Sequence, residues 1–175
     1  MEQIKWFQRS FEFNINQNTL PSVIERLEGT PARLESKFTL IKPIALTVRV
    51  SNTWSILQNL GHLIDIEPLW QGRIEDIVNG RDLRSADLQN AKTELADHNE
   101  KSTEELIRNF SRERKKTLSM LESLDDEMLS RSGLHPRLKI PLRIIDQLVF
   151  VAEHDDHHLA RISRLATLLD GKIES

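Results

Sequence analysis

The sequence predicts an all-α protein, a four-helix bundle, and three observations carry that prediction. Apolar residues recur at mixed spacings of three and four along four separate stretches. The six glycines and six prolines fall mostly between those stretches, as punctuation. No two segments read as a credible pair of strands, and a lone strand has nothing to bond to. Composition agrees: 38% hydrophobic and 29% charged residues in a chain of 175 describe one soluble globular domain, residues 1–175, with a single core.

The elements follow in order. The first 18 residues read as an irregular lead-in whose Trp6, Phe7, Phe11 and Phe13 pack on the body or form a docking surface. A first helix starts near Leu20, with Thr19 as candidate N-cap and Pro21 at the first helical position. Gly29-Thr30-Pro31 interrupts it, so one kinked helix or two run through Leu34 and Phe38 to about Leu40. Residues 41–52, with Pro43 and the run Thr47-Val48-Arg49-Val50, read as an extended connector.

A second helix spans residues 53 to about 79, with Pro68 as an expected kink or break and Gly80 at its C-terminus. Residues 80–100 are polar and form a long loop, a length often reserved for function. Ser102-Thr103-Glu104-Glu105 is a capping box that opens a third helix through Leu106, Ile107, Phe110, Leu118 and Leu121. Its charged run, Arg112-Glu113-Arg114-Lys115-Lys116, reads as a solvated face. After a connector over residues 125–136, the last helix runs from about 141 to 169 and stops before Gly171.

Charge and cysteine usage exclude several functions. Twenty-four Lys and Arg against 27 Asp and Glu give a net charge of -3, with no global positive field for nucleic acid, which is not an expected partner. The chain has no cysteine, which rules out a disulfide scaffold, a thiolate zinc site and a catalytic thiol. His, Asp and Glu remain as transition-metal ligands. No stretch approaches the roughly 18 apolar residues of a membrane span. The start, from Met1 to Phe7, lacks the features of a signal peptide, so a cytoplasmic location is expected.

Six histidines are present, three of them in Glu153-His154-Asp155-Asp156-His157-His158. On a helix His154 and His158 lie about 40° apart and stack one turn apart, a spacing that chelates one ion. The pair sits at the margin of the apolar stripe of Ile144, Leu148, Ile162 and Ala166, a poor place for unpaired imidazoles. His157 diverges from that face and points at a neighbouring helix or solvent. His62 is the candidate third ligand, mid-helix among core residues, with Gly61 letting another helix approach. Three imidazoles and an open position describe a catalytic divalent site; a satisfied core histidine is the plainer use of His62.

These residues resemble a known family. Trp54-Ser55-Ile56 followed by His62-Leu63, and His154 and His158 followed by Ile162, are similar to the motifs of the DinB/YfiT superfamily over roughly residues 18–170. The phrases from Leu27 to Glu35 and from Phe150 to Ile162 resemble a bacterial branch of it. The resemblance implies an up-down-down-up bundle, a divalent metal (nickel or zinc) on His62, His154 and His158, and a homodimer. It also implies a small-molecule substrate, in relatives that include S-transferases using thiols such as bacillithiol or mycothiol, maleylpyruvate isomerases and hydrolases. Arg161 stands where relatives often carry Gln, which weakens any role carried over from that Gln.

The leading expectation is therefore a low-molecular-weight thiol, ionised at the metal, attacking an electrophile. The alternatives are hydrolysis by metal hydroxide and a non-catalytic, metal-stabilised binding bundle. Asp65 and Asp155 are candidates to accept the outer ring N–H of a ligand histidine. Glu153 and His135 are candidate catalytic acid–base groups, with His135 also a possible fourth ligand. Against each stands the simpler role of surface charge or loop histidine, and the same holds for His98. Arg137, Lys139 and Arg143 form a basic cluster suited to a substrate carboxylate.

Overall fold

The computed structural model describes residues 3–51 and 53–173; Met1 and Glu2 of the lead-in, Asn52 of the first connector, and Glu174 and Ser175 lie outside the described residues. Four long helices dominate: α1 (Leu20–Phe38), α2 (Ile56–Val78), α4 (Thr103–Ser119) and α6 (Ile144–Ile173). Between them lie the short helices α3 (Ala91–Leu95) and α5 (Asp126–Ser130), and a hairpin of β1 (Ser132–Leu134) and β2 (Pro141–Arg143).

Each of α1 and α2 packs against both α4 and α6, so α1 lies diagonally opposite α2 and α4 diagonally opposite α6. Contacts give the directions. Arg26 and Lys37 of α1 meet Asp156 and Ser163 of α6, rising together, so these two helices are parallel. Asn59 and Trp70 of α2 meet His158 and Phe150, in opposing order, so α2 runs against α6. Glu67 and Gln71 meet Arg114 and Thr117, so α2 and α4 are parallel. The result is the up-down-down-up bundle. Two long connections are what diagonal wiring requires.

Two apolar clusters fill the two ends. One joins Leu34, Leu57, Leu60, Phe110 and Ile162; the other joins Leu27, Trp70, Ile74, Leu148 and Val151. Between them lies a buried polar belt. Arg114, 1% exposed, donates to Glu67 Oε1 at 2.9 and 2.6 Å, to Asp155 at 2.7 and 3.1 Å, and to the Leu27 carbonyl at 3.2 Å. Thr30 donates to Asp155 at 3.1 Å and Thr117 donates to Glu67. All four long helices are thus tied at one level. The expected solvated face is corrected at this residue: Arg114 turns inward because two buried carboxylates need it.

Other boundaries differ for identifiable reasons. Helix α1 passes through Pro31 without a break, and α2 through Pro68, because packing along both helices outweighs one missing N–H. Thr19 does not cap α1; its hydroxyl donates to the Asn16 carbonyl at 2.7 Å. Ser55 and Gln58 form the full capping box, whereas Ser102 accepts from Glu105 N without the reciprocal bond. The hairpin was not expected from sequence, since three-residue strands carry too little alternation to read. Consequently α6 starts at Ile144, and it continues through Gly171 to Ile173. Gly80 ends α2 with φ of 65°, as its position predicts. The lead-in packs Trp6, Phe11 and Phe13 on Phe150, while Phe7 remains 57% exposed.

Candidate metal centre

His62 on α2 and His154 and His158 on α6 meet where the antiparallel helices cross. One ligand atom from each lies within 4.8 Å of the others, and all three residues are buried. The ring centroids are 4.6 to 5.3 Å apart. A cavity of about 560 Å³ opens onto them, walled by Trp6, Trp54, Trp70 and Phe150.

Hydrogen bonds settle two tautomers. Thr93 Oγ1 donates to Asp65 Oδ2 at 2.9 Å, so its oxygen accepts the Nδ1–H of His62 at 3.1 Å. Asn59 Nδ2 donates to the Ser55 carbonyl at 2.7 Å, which fixes the amide and turns Oδ1 to accept from His158 Nδ1 at 3.0 Å. Both rings therefore keep Nε2 as a free lone pair. No hydrogen bond reaches His154 among the described residues, and its Nδ1 is fully buried. Trp70 and Trp6 meet that ring edge-on at 5.5 and 5.0 Å.

Burial keeps these rings neutral. It pushes His62 down to about 4, against the opposing pull of Asp65. His154 and His158 fall well below the ordinary imidazole value, first through burial and then through neighbouring rings. Unfolded histidine takes up protons below about pH 6.5, while folded His62 stays neutral until about pH 4. Protons thus favour the unfolded chain across that window. The metal-free protein is expected to keep full stability above pH 6.5 and to lose it towards pH 4, about 3 kcal/mol from His62 alone. Urea midpoints that stay flat between pH 7 and 4.5 would contradict this.

The other expected site residues divide. Asp65 makes no hydrogen bond to His62; Thr93 bridges the two, and against burial the Asp65 charge raises the His62 pKa. Asp65 also accepts from His98 Nε2 at 2.8 Å. The close approach allowed by Gly61 is made by the His98 imidazole, which a Cβ there would strike, and not by a helix. Asp155 does not reach a ligand ring: it is committed to Arg114 and Thr30 on the far side of α6. Glu153 lies outside the cavity wall, paired with Arg9 and Arg26. Burial raises its pKa, but those bonds outweigh it and hold the carboxyl below its usual range.

His135 lines the cavity without joining the cluster; its Nε2 lies 3.1 Å from Arg73 Nη1. His157 is 7% exposed and takes Gln3 Nε2 at 3.1 Å on its Nδ1, so the lead-in, not solvent, meets it. Of the basic cluster only Arg137 lines the cavity, because Arg143 pairs with Asp146 at 2.9 Å and Lys139 is exposed. Sequence reasoning missed Asn59 and Thr93. A buried Asn one turn before His62 was a usable signal; nothing local marks Thr93.

Comparison with known proteins supports the fold independently. No curated protein matches the chain by sequence. Among solved structures, YfiT from Bacillus subtilis, described as a probable metal-dependent hydrolase with an unusual four-helix bundle topology, superposes with a TM-score of 0.79 at 21% identity, covering 93% of this chain and 94% of that one. The mycothiol-dependent maleylpyruvate isomerase gives a TM-score of 0.64 at 8% identity, over 81% of this chain and 59% of that one. At these identities the likeness is one of fold. The family model of the DinB superfamily matches residues 26–162, and the chain belongs to that superfamily.

Proposed function

We propose that the chain is a metal-dependent enzyme in which His62, His154 and His158 hold one divalent ion, zinc or nickel, and a low-molecular-weight thiol attacks an electrophilic small molecule. The pair of fixed tautomers carries this reading: Thr93 and Asn59 hold the ring protons of His62 and His158 on Nδ1 and leave both Nε2 lone pairs free beside one cavity. The donor set is three neutral imidazoles, which suits these metals, and His154 is a buried ring that lacks any hydrogen-bond partner. A divalent ion there supplies the ionisation of a thiol or water placed against it.

The protein's residues supply the surroundings. Trp54 lies over His62 at 4.7 Å and over His158 at 6.2 Å, keeping water from their faces. The reacting thiol has to come from outside, since the chain has no cysteine. A hydrolase with the same centre is the second reading, and the fold shared with YfiT, described as a probable metal-dependent hydrolase, favours it. The thiol reading is preferred because water on the ion keeps a pKa of about 7 and gains from a nearby base, whereas both cavity carboxylates already accept hydrogen bonds. Asp87 accepts from the backbone N–H of Gln89 and Ala91, and Glu94 accepts from the Trp54 indole. A thiol is acidic enough to ionise without such a base.

The test is turnover of a chlorinated aromatic electrophile by zinc-loaded protein with and without several small thiols. Chloride release that rises with thiol concentration is expected, as a carbon–sulfur bond replaces carbon–chlorine. Ester cleavage without any thiol effect would select the hydrolase. No turnover, with a sharp drop in unfolding temperature on chelation, would select a structural metal.

A further inference from the structure

The cavity carries positive charge that its own acids do not answer. Asp87 and Glu94 are engaged elsewhere, whereas Arg73, Arg137 and Arg161 line the same cavity and, among the described residues, make no ion pair. Arg73 is 2% exposed, a buried guanidinium that Asp76 attracts from a distance but that no carboxylate among the described residues pairs with. Its Nε donates to the Arg84 carbonyl at 3.1 Å, its Nη1 lies 3.1 Å from His135 Nε2, and its Nη2 has no hydrogen bond. Arg137 lies over the Phe7 ring at 5.3 Å, and its Nη2 is buried without a partner.

The two guanidiniums are neighbours. His135 accepts the Arg137 backbone N–H on Nδ1 at 3.2 Å and meets Arg73 with its other nitrogen. Burial and the charge of Arg137 push Arg73 down to about 10, and burial lowers Arg137 as well. Uncompensated buried charges of one sign destabilise a fold unless an anion joins them. Aromatic faces meet both charges, Trp70 under Arg73 at 5.4 Å and Phe7 under Arg137 at 5.3 Å, but among the described residues no carboxylate pairs with either.

Position defines the ligand. His62, Ile66, Trp70 and Arg73 share one face of α2, since 11 residues at 100° each return to within about 20°. The Trp70 ring under the Arg73 guanidinium meets His154 at 5.5 Å, so an apolar indole separates the charge from the histidines. We infer that Arg73 and Arg137 form an anion subsite at the far end of the cavity, which selects substrates bearing a carboxylate on an apolar body. Calling the ligand a substrate rests on the proposed metal chemistry; the subsite itself does not.

All three tryptophans of the chain line the cavity, so their fluorescence reads occupancy. The experiment titrates the full chain, zinc-loaded and metal-free, with 4-phenylbutyrate and with its neutral amide. The acid is expected to bind at least about tenfold more tightly than the amide in the metal-free protein. Arg73→Met and Arg137→Met should each erase that preference, leaving amide binding unchanged. Arg137 is the less buried of the two, so its variant carries the test if Arg73→Met does not fold. Equal binding of acid and amide, no binding of the acid, or a loss confined to Arg161→Met would overturn the subsite. Metal content of the same preparations separates the two readings: a parent without metal but with arginine-dependent acid binding sinks the metal centre alone.

Discussion

Replacing His62 or His158 by alanine is expected to take the protein from about one divalent ion per chain to less than about a tenth of that, after purification without chelators. Each substitution removes one of three ligands, and the remaining pair cannot fill the coordination sphere of a tetrahedral ion. The outer partners should give a graded effect. Asn59→Ala and Thr93→Ala leave the ligands in place but free their rings to rotate and change tautomer, which weakens affinity by about ten- to a hundredfold. Metal analysis after dialysis against a competing chelator orders the four variants. Equal metal in the parent and both histidine variants would reject the ligand assignment, and equal affinity in the Asn59 variant would reject the tautomer argument.

Replacing Arg114 by methionine is expected to destabilise the protein by about 3–5 kcal/mol, a large share of the 5–15 kcal/mol typical of a domain. The guanidinium makes five hydrogen bonds to groups on three other helices, and its loss leaves Glu67 and Asp155, both 0% exposed, without a counter-charge. Burial already raises the Glu67 carboxyl, so this acid is the first to take a proton once the guanidinium is gone. Adding Glu67→Gln and Asp155→Asn to the Arg114 variant should restore part of the loss, because the penalty lies in the stranded charges. Urea unfolding at neutral pH measures all three. A loss below about 1 kcal/mol for Arg114→Met would show that the belt is not what fastens the helices.

How far the sequence could be read depends on whether a signal is local. The four long helices were legible because each repeats its apolar spacing over several turns, and Gly80 marked an end through a conformation that glycine adopts easily. Pro31 and Pro68 left a choice between one helix and two, and one helix results at each because a proline deletes one bond while the packed face extends along the whole helix. The charged run at 112–116 misled for the opposite reason: the pattern is local, but the partners of Arg114 lie 41 and 47 residues away. In the centre, the His154 and His158 spacing was visible, His62 stood out mid-helix among core residues beside Gly61, and the family resemblance then joined the three. Thr93 and His98 come from a polar loop with no periodicity, so only folding could bring them to Asp65 and Gly61.

His154 sets a buried nitrogen beside the cavity with no described residue to bond to it. A leucine at that position would fill similar space without stranding a polar atom, and the fold would be easier to hold. An ion bound there would give that nitrogen the partner the fold withholds.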